Sequence, residues 1–410
     1  MNSPWTATAP LDDQAWRAAR LHAIFQCCKW DLQREDHSVL ARYGLVLNGE
    51  HWKAVSETAG RLARESLALE TELAARPALH SRLGLPAPIR RLLGGQAPHD
   101  PARAVRVMRF DFHHSTAGWR ISEVNSDVPG GFVEASGLTE HFAGHYSGLR
   151  PAGNPAQMYA AAIGRMAGSG GHIALVHATA YSDDRQVMEY LAKLLRAGGL
   201  TTALVSPGHV RFDHGRAAIE SHFAAGNPQV LIRFFPAEWL PSLGRRWRWS
   251  GFFSIPETAL SNPGCALLLQ SKRVPLVWDG LGCRAETWRA LLPEVRCPRE
   301  VPWSGREDWV LKPALGRVGE GVAMAGVTLP AAFDRAFQQA RRRPGDWVAQ
   351  RRFESLPVET PDGPRYPCLG VFTIDGEVAG CYGRVSARPL TDADSQDIAI
   401  LIGSENANET

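Results

Sequence analysis

Asp111 and Glu123 lie twelve positions apart within VRVMRFDFHHSTAGWRISEVNSDVP, residues 105–129. Val105, Val107, Arg109 and Asp111 alternate with Arg106, Met108, Phe110 and Phe112, the period of a pleated strand. Beyond a polar turn containing Gly118, Trp119 to Asn125 reads as the returning strand, with Ile121, Glu123 and Asn125 on one face. Closure around Ala117 sets Asp111 opposite Glu123 and Arg109 opposite Asn125. Directly opposed Cβ atoms stand about 5 Å apart. Two carboxylates that close need a cation between them, and the Asn125 amide oxygen completes a hard-oxygen set suited to Mg²⁺. Arg109 beside them can hold a phosphate oxygen. In outline this is a phosphoryl-transfer site, although the spacing also suits a surface hairpin with solvated charges.

Further residues suit the same chemistry. Lys312 ends the short strand WVLKP and runs into a glycine loop with Gly316, Gly319 and Gly321. A strand-end lysine followed by a flexible glycine lid can bind phosphates and shield them from water. Lys272, approaching from a neighbouring strand, is a second candidate phosphate ligand; either lysine alone reads better as a surface charge, and together with the carboxylate hairpin they tip the balance towards a nucleotide. Arg384, in GCYGRV, can clamp a transferring phosphoryl group or acyl phosphate with two hydrogen bonds, or stand exposed on its strand. The chain has no G-x-x-x-x-G-K-S/T loop, which argues against a Walker-type NTPase, and the 316–321 loop lacks the Rossmann spacing.

The composition agrees with a soluble globular protein. The 410 residues are 44% hydrophobic and 21% charged, enough for a sizeable core and two or three lobes. With 45 basic and 42 acidic residues the net charge is +3, so nothing demands nucleic acid or an anionic membrane. The basic–aromatic run Arg245-Arg246-Trp247-Arg248-Trp249 is read as a solvated turn or an anionic-ligand contact rather than a nucleic-acid grip. The N-terminus lacks a signal-peptide core and no run reaches membrane-spanning length. Seven cysteines without a C-x-x-C read as reduced packing residues of a cytoplasmic protein. Every histidine lies at or before His222, which leaves no histidine-based zinc site in the C-terminal half. Lysine is scarce (Lys29, Lys53, Lys193, Lys272 and Lys312), so each is of interest for its compact charge.

The elements that must position these residues follow from periodicity. Residues 12 to about 95 read as helical, with Trp52, Val55, Ala59, Leu62, Leu69 and Leu73 on one stripe. Pro86, Pro88 and GGQAPHDP at 94–101 mark the passage into the hairpin. Residues 133–149 and 154–166 can be helices. His172–His177, a helix over Asp183–Arg196, and Thr201–Val205 form a βαβ unit with parallel strands, joined by a third strand over Gln229–Phe235. Trp347–Phe353 is a strand, and Leu369–Ile374 and Glu377–Val385 flank the hairpin turn Asp375-Gly376. The final GSENANET reads as a frayed tail.

Taken together these residues resemble the synthetase domain of the glutathionylspermidine synthase family, within the ATP-grasp ligases. The resemblance rests on Arg109-Phe110-Asp111, Glu123-Val124-Asn125, PAEWL at 236–240, Gln270 with Lys272, the KPALGRVGEG loop, Gln350, and GCYGR ending at Arg384. It implies an α/β (α+β) fold, a pre-ATP-grasp α/β domain with N-terminal helices joined to an ATP-grasp domain in permuted order. The spans would be an N-terminal helical region at 1–100, a pre-ATP-grasp substrate domain carrying the hairpin at 101–265, and a nucleotide-binding lobe at 266–410. By the same resemblance Asp111, Glu123 and Asn125 would hold Mg²⁺, two ions in all. Lys272, Lys312 and the glycine loop would hold ATP phosphates, Gln350 would lie near the adenine, and Arg109 and Arg384 would stabilise the transferred phosphoryl group.

The function expected is a Mg-ATP-dependent ligase joining a small-molecule or peptide carboxylate to an amine, with neither nucleic acid nor membrane as partner. Glutathione with a polyamine is one substrate pair, and an amino-acid or peptide pair is another. A second class of function, an ATP-binding regulatory or scaffold module without turnover, would bind nucleotide on the same residues.

Overall fold

The strand Val107–Ser115 turns through Thr116 and Ala117 into Gly118–Asn125, an antiparallel hairpin. In the computed structural model, which describes residues 3–95, 101–222, 224–244, 247–254 and 257–403, Ser115 pairs with Gly118 and Phe112 with Ile121. That register would place Asp111 opposite Ser122. A bulge intervenes, so Asp111 pairs with Glu123 and Arg109 with Asn125, as the spacing predicts. The extra residue is Ser122. It also turns Ile121 onto the opposite face from Glu123, against the sequence expectation, and Ile121 packs with Met108, Phe110, Phe112 and Val124 in the core.

The hairpin forms one end of an eight-stranded sheet. From it the order continues through Tyr366–Ile374, Glu377–Ser386, Gln396–Gly403 and Leu40–Leu47 to Trp5–Ala7, and Leu149–Pro151 also pairs with Gln396–Gly403. Neighbours run antiparallel except Gln396–Gly403 beside Leu40–Leu47. The sheet thus draws strands from the beginning, middle and end of the chain. The Asp375-Gly376 turn has φ of 51° and 90°, the left-handed pair that a two-residue hairpin loop requires.

The helix Gly49–Ala74 covers one face with the expected stripe of Val55, Ala59, Leu62, Leu69 and Leu73. It is capped by the Asn48 side chain, which accepts from the Glu50 amide at 2.8 Å. On the other face, Val107, Phe372 and Ile374 pack with Phe132, Tyr159 and the helix Pro155–Ala167. That layer leads to a parallel four-stranded sheet ordered Ala259–Ser261, Val230–Phe234, His172–His177, Thr201–Val205, whose crossover helix is Ser182–Ala197. A second four-stranded sheet, antiparallel and ordered Val295–Arg296, Trp347–Arg351, Trp309–Pro313, Ala323–Met324, packs on the helix Pro330–Arg342 through Phe333 and Phe337.

Several expectations need correction. Residues 12–95 are not wholly helical, because Leu40–Leu47 is a strand of the large sheet. Its LARYGLVL sequence is buried on both faces, so it lacks the alternation that marks a strand. Within 133–149 the helical stretch ends at Ala143 and holds one wide π turn over Glu134–Leu138, before the strand Leu149–Pro151. Lys272 follows the short helix Leu267–Gln270 rather than riding on a strand. Residues 96–100, Arg245, Arg246 and 404–410 lie outside the described residues, and with them most of the 94–101 breaker, the first two residues of the basic–aromatic run and nearly all of the expected tail. The cysteines are unpaired, as expected. No helix among the described residues is long and apolar enough to cross a membrane.

Candidate functional site

At the bulged end of the hairpin the expected residues come together, but each carboxylate already has a cation of its own. Arg109 grips Asp111 with two parallel bonds, Nε to Oδ1 at 2.7 Å and Nη2 to Oδ2 at 3.0 Å. Its Nη1 donates to the Gly130 carbonyl at 2.6 Å, and its guanidinium carbon stands 5.0 Å from the centre of the Tyr382 ring. Asn125 donates from Nδ2 to Asp111 Oδ2 at 3.1 Å. Across the sheet Gly370 pairs with Asp111, and a Cβ there would come within 2.7 Å of Arg109 Cδ.

Glu123 is held by Lys272, with Nζ 2.9 Å from Oε2. Lys272 Nζ also donates to the Gly316 carbonyl at 2.7 Å, and its amide to Ala314 O at 2.9 Å, which fastens the start of the glycine loop. Burial would raise the Glu123 carboxyl, but Lys272, Lys312 and Arg109 outweigh it and hold the group down to about 2. Lys312 donates to the Ser122 carbonyl at 3.1 Å, and Gln350 Nε2 reaches the same oxygen at 3.3 Å. The bulge therefore supplies the carbonyl that ties the hairpin to the antiparallel lobe. Burial, with Lys272 adding to it against the pull of Glu123 and Asp111, lowers the Lys312 ammonium to about 8. His113, half-buried and bonded to the Ser122 hydroxyl at 3.0 Å, is pushed down to about 4 by its desolvation and stays neutral at physiological pH.

Between Glu123, Lys272, Lys312 and Gln350 opens a cleft continuous with solvent. Leu269, Val274, Trp278, Leu292 and Val348 supply apolar wall, while Glu123, Lys272, Lys312 and Gln350 supply the polar contacts. A flat heterocycle fits the apolar part and an anionic tail fits the lysines.

The glycine loop takes up the left-handed backbone at Gly319 (φ 70°) and Gly321 (φ 72°), and a Cβ at Gly319 would run into the Thr391 carbonyl. Gly316 needs no such freedom, and its Cβ position lies against Pro313. Sequence reasoning missed what holds this loop. Arg317 pairs with Glu238 at 2.8 Å and with fully buried Asp127 at 2.7 Å, and Asp127 is also bound by Arg233 and the Ala237 amide. Glu238 lies in the PAEWL segment and Asp127 in the loop after the hairpin, so the signal was present without its partner. Arg384 is largely buried rather than exposed. It donates through Nη2 to the Asp392 carbonyl, and its Nε is buried without a hydrogen-bond partner.

The donor chemistry fits Mg²⁺. Asp111 and Glu123 occupy opposed positions with Asn125 next to them, an all-oxygen set that leaves room for phosphate oxygens and water. Among the described residues no cluster of three or more His, Cys, Asp or Glu side chains is placed to hold a metal. Three cations, Arg109, Lys272 and Lys312, gather around the two carboxylates here, leaving an excess of positive charge for an anionic ligand to neutralise.

A family model described as glutathionylspermidine synthase preATP-grasp matches residues 42–402. Among solved structures the chain is similar to a glutathione synthetase like-effector from Globodera pallida in its apo form, with a TM-score of 0.63 and 13% identity over 95% of this chain and 97% of that one. At that identity the likeness speaks for the fold. No curated protein sequence matches the chain.

Proposed function

The chain belongs to the glutathionylspermidine synthase preATP-grasp family, and on that premise we propose that it is a Mg-ATP-dependent carboxylate–amine ligase. ATP-grasp ligase chemistry with ATP and Mg²⁺ is the general property of the family. The observation that carries the reading is the cleft whose apolar walls end at Glu123, Lys272 and Lys312.

The adenine would lie between the apolar walls with Gln350 at its edge, and the triphosphate would reach Lys272 and Lys312. Asp111, Glu123 and Asn125 would hold Mg²⁺, which neutralises phosphate charge. With the two carboxylates turned to the metal, Arg109 and Lys272 would be free to meet phosphate oxygens. In the first step an oxygen of the acid attacks the γ-phosphorus, the bond to the β-phosphate oxygen breaks, and ADP leaves. Arg109 and Arg384 would stabilise the charge that spreads over the transferring group. In the second step the amine nitrogen attacks the acyl carbon, phosphate departs with the bonding pair, and the nitrogen loses a proton to solvent. The glycine loop, held by Arg317, would exclude water from the acyl phosphate. Two substrate pairs suit this chemistry, a glutathione-like peptide with a polyamine, as the family name indicates, and an amino-acid or peptide pair.

A second reading, an ATP-binding regulatory or scaffold module, is favoured by one observation: Asp111 is fully engaged by Arg109 and Asn125. One assay separates the two. The chain is incubated with Mg-ATP and a panel of acids and amines, and ADP, AMP and amide product are followed together. ADP release coupled to an amide supports the ligase. Nucleotide binding without turnover on any pair supports the module, and AMP release overturns the acyl-phosphate route.

A further inference from the structure

Ser122 is the residue of the hairpin that has no partner in the ladder. Phe112 faces Ile121 and Asp111 faces Glu123, so the backbone at 122 is pushed out between them. Three side chains converge on it. Lys312 and Gln350 take its carbonyl at 3.1 and 3.3 Å, and His113 takes its hydroxyl, with Nε2 3.0 Å from Oγ. The hydroxyl also stands 3.5 Å from the Asp111 carbonyl, which sets it between the imidazole and the backbone of the first carboxylate. The His113 ring packs against Phe353, with centroids 5.5 Å apart and planes at 52°. Phe353 lies just beyond the strand that carries Gln350. Lys312 and Gln350 belong to the nucleotide reading, whereas His113 has no part in it.

We propose that His113 is a positioning residue for the metal carboxylates: its bond to Ser122 sets the bulged backbone at the angle that aims Glu123 at Asp111. The inference rests on the ligase reading and adds to that site a residue that touches neither metal nor nucleotide. A bulged residue is released from the ladder, so its conformation follows whatever its side chain and carbonyl find, and bulges beside functional sites re-aim the side chains next to them. Lys312 and Gln350 are long and can follow a carbonyl that shifts. The imidazole is short and rigid, and it stands only two residues from Asp111 on the facing strand. It therefore ties the hydroxyl of one strand to the strand that carries the other carboxylate. Any tilt of the Ser122 peptide passes directly to Glu123, the next residue. Magnesium demands near-octahedral oxygen geometry at about 2.0–2.1 Å, so a carboxylate pair even slightly misaimed holds it less well. Partners one step behind a metal ligand commonly govern affinity by about 10–100-fold.

The test titrates Mn²⁺, read by electron paramagnetic resonance, into the full chain loaded with a non-hydrolysable ATP analogue. His113→Phe keeps a ring against Phe353 but cannot bond Ser122, and it is expected to weaken Mn²⁺ binding about ten-fold. Ser122→Ala is expected to cost the same. The double variant should lose no more than either, because all three cut one bond. His113→Gln offers an amide to the same hydroxyl and is expected to stay within about two-fold of the native chain. A ring that merely packs would give the reverse pattern, with His113→Phe native in affinity and His113→Gln lowered in melting temperature. Native Mn²⁺ affinity in a folded His113→Phe overturns the proposal, as do additive losses in the double variant. Should His113→Phe not fold, native affinity in Ser122→Ala overturns it alone. A native chain that binds the analogue without Mn²⁺ removes the metal site itself, and one that binds no analogue removes the ligase reading, so either result is distinct from failure of the His113 assignment.

Discussion

Lys272 Nζ lies 2.9 Å from Glu123 Oε2, while Lys312, on the adjoining lobe, donates to the carbonyl of Ser122 immediately before it. One ammonium group thus binds the Glu123 carboxylate and a second stands near it on a bulged strand. The imbalance holds Glu123 ionised and leaves Lys312 short of a counter-charge. Both conditions suit a site that receives a metal on its acid and a phosphate on its bases.

Asp111→Asn and Glu123→Gln are expected to lower turnover by roughly 10³-fold or more while leaving circular dichroism unchanged, since each removes a charge that would hold the metal. The Glu123 variant has a second signature. Its carboxyl lies at about 2 in the fold against about 4.3 in an unfolded chain. Its charge therefore favours the fold above about 4.3, and that contribution fades as pH falls towards 2. Tryptophan fluorescence followed through this window should show a flatter acid limb for Glu123→Gln than for the native chain. Full activity in either variant with Mg²⁺ present would remove the hairpin from the metal site.

Lys312→Met is expected to act in opposite directions on stability and function. The ammonium is depressed to about 8 from about 10.4, so between those values the unfolded chain binds the extra proton and stability rises with pH. At neutral pH the buried charge therefore costs the ligand-free fold something, up to about 3 kcal/mol by the size of the shift. Replacing it should raise the melting temperature of the ligand-free chain and remove that rise with pH. ATP affinity by calorimetry should fall roughly 10²-fold, the loss of a buried charge-assisted contact. Unaltered ATP affinity would refute the assignment.

Legibility in the sequence followed the physics of each element. The hairpin register, the βαβ unit and the Asp375-Gly376 turn could be read because alternation, crossover length and turn chemistry are local. The strand Leu40–Leu47 could not, because burial on both faces erases its alternation and its partners Trp5–Ala7 and Gln396–Gly403 lie at the ends of the chain. The candidate residues Arg109, Asp111, Glu123 and Asn125 converge as their spacing suggests, yet their pairing with Lys272 and with each other is a tertiary outcome. The bulge at Ser122 illustrates the limit. An unbroken register from the turn would have moved Glu123 away from Asp111, and nothing in GWRISEVN announces the extra residue. Arg317 was likewise invisible, since its partners Asp127 and Glu238 are distant in sequence and one of them is fully buried.

Arg317→Ala is expected to release the glycine loop. Arg317 holds Glu238 and Asp127 together, and Arg233 keeps Asp127 neutralised when it is gone. Global stability should therefore fall only modestly, by about 1–3 kcal/mol. The local effect should be larger. Val318 is already 62% exposed, so limited proteolysis is expected to cut within residues 316–321 faster than in the native chain. ATP consumption without amide formation should rise, since an unfastened lid admits water to the acyl phosphate. Proteolysis at the native rate would show that other contacts hold the loop.

Gly370→Ala tests whether the bidentate geometry at Asp111, rather than charge alone, matters. Gly370 sits opposite Asp111 on the neighbouring strand, and its missing side chain leaves room for Arg109. A methyl group there would stand 2.7 Å from Arg109 Cδ and 2.9 Å from Nε, so the arginine must move, whereas the strand backbone need not. The side chain is flexible enough to move at little cost in stability, and the melting temperature should shift by only a few degrees, about 1 kcal/mol or less. The displaced guanidinium loses its place over Tyr382 and, on the proposed ligase reading, its reach to the phosphoryl group. Turnover is expected to fall by roughly 10²-fold with ATP affinity nearly unchanged, the split produced when a contact made only in the transition state is lost. Equal losses in nucleotide affinity and turnover would instead place Arg109 in ground-state binding.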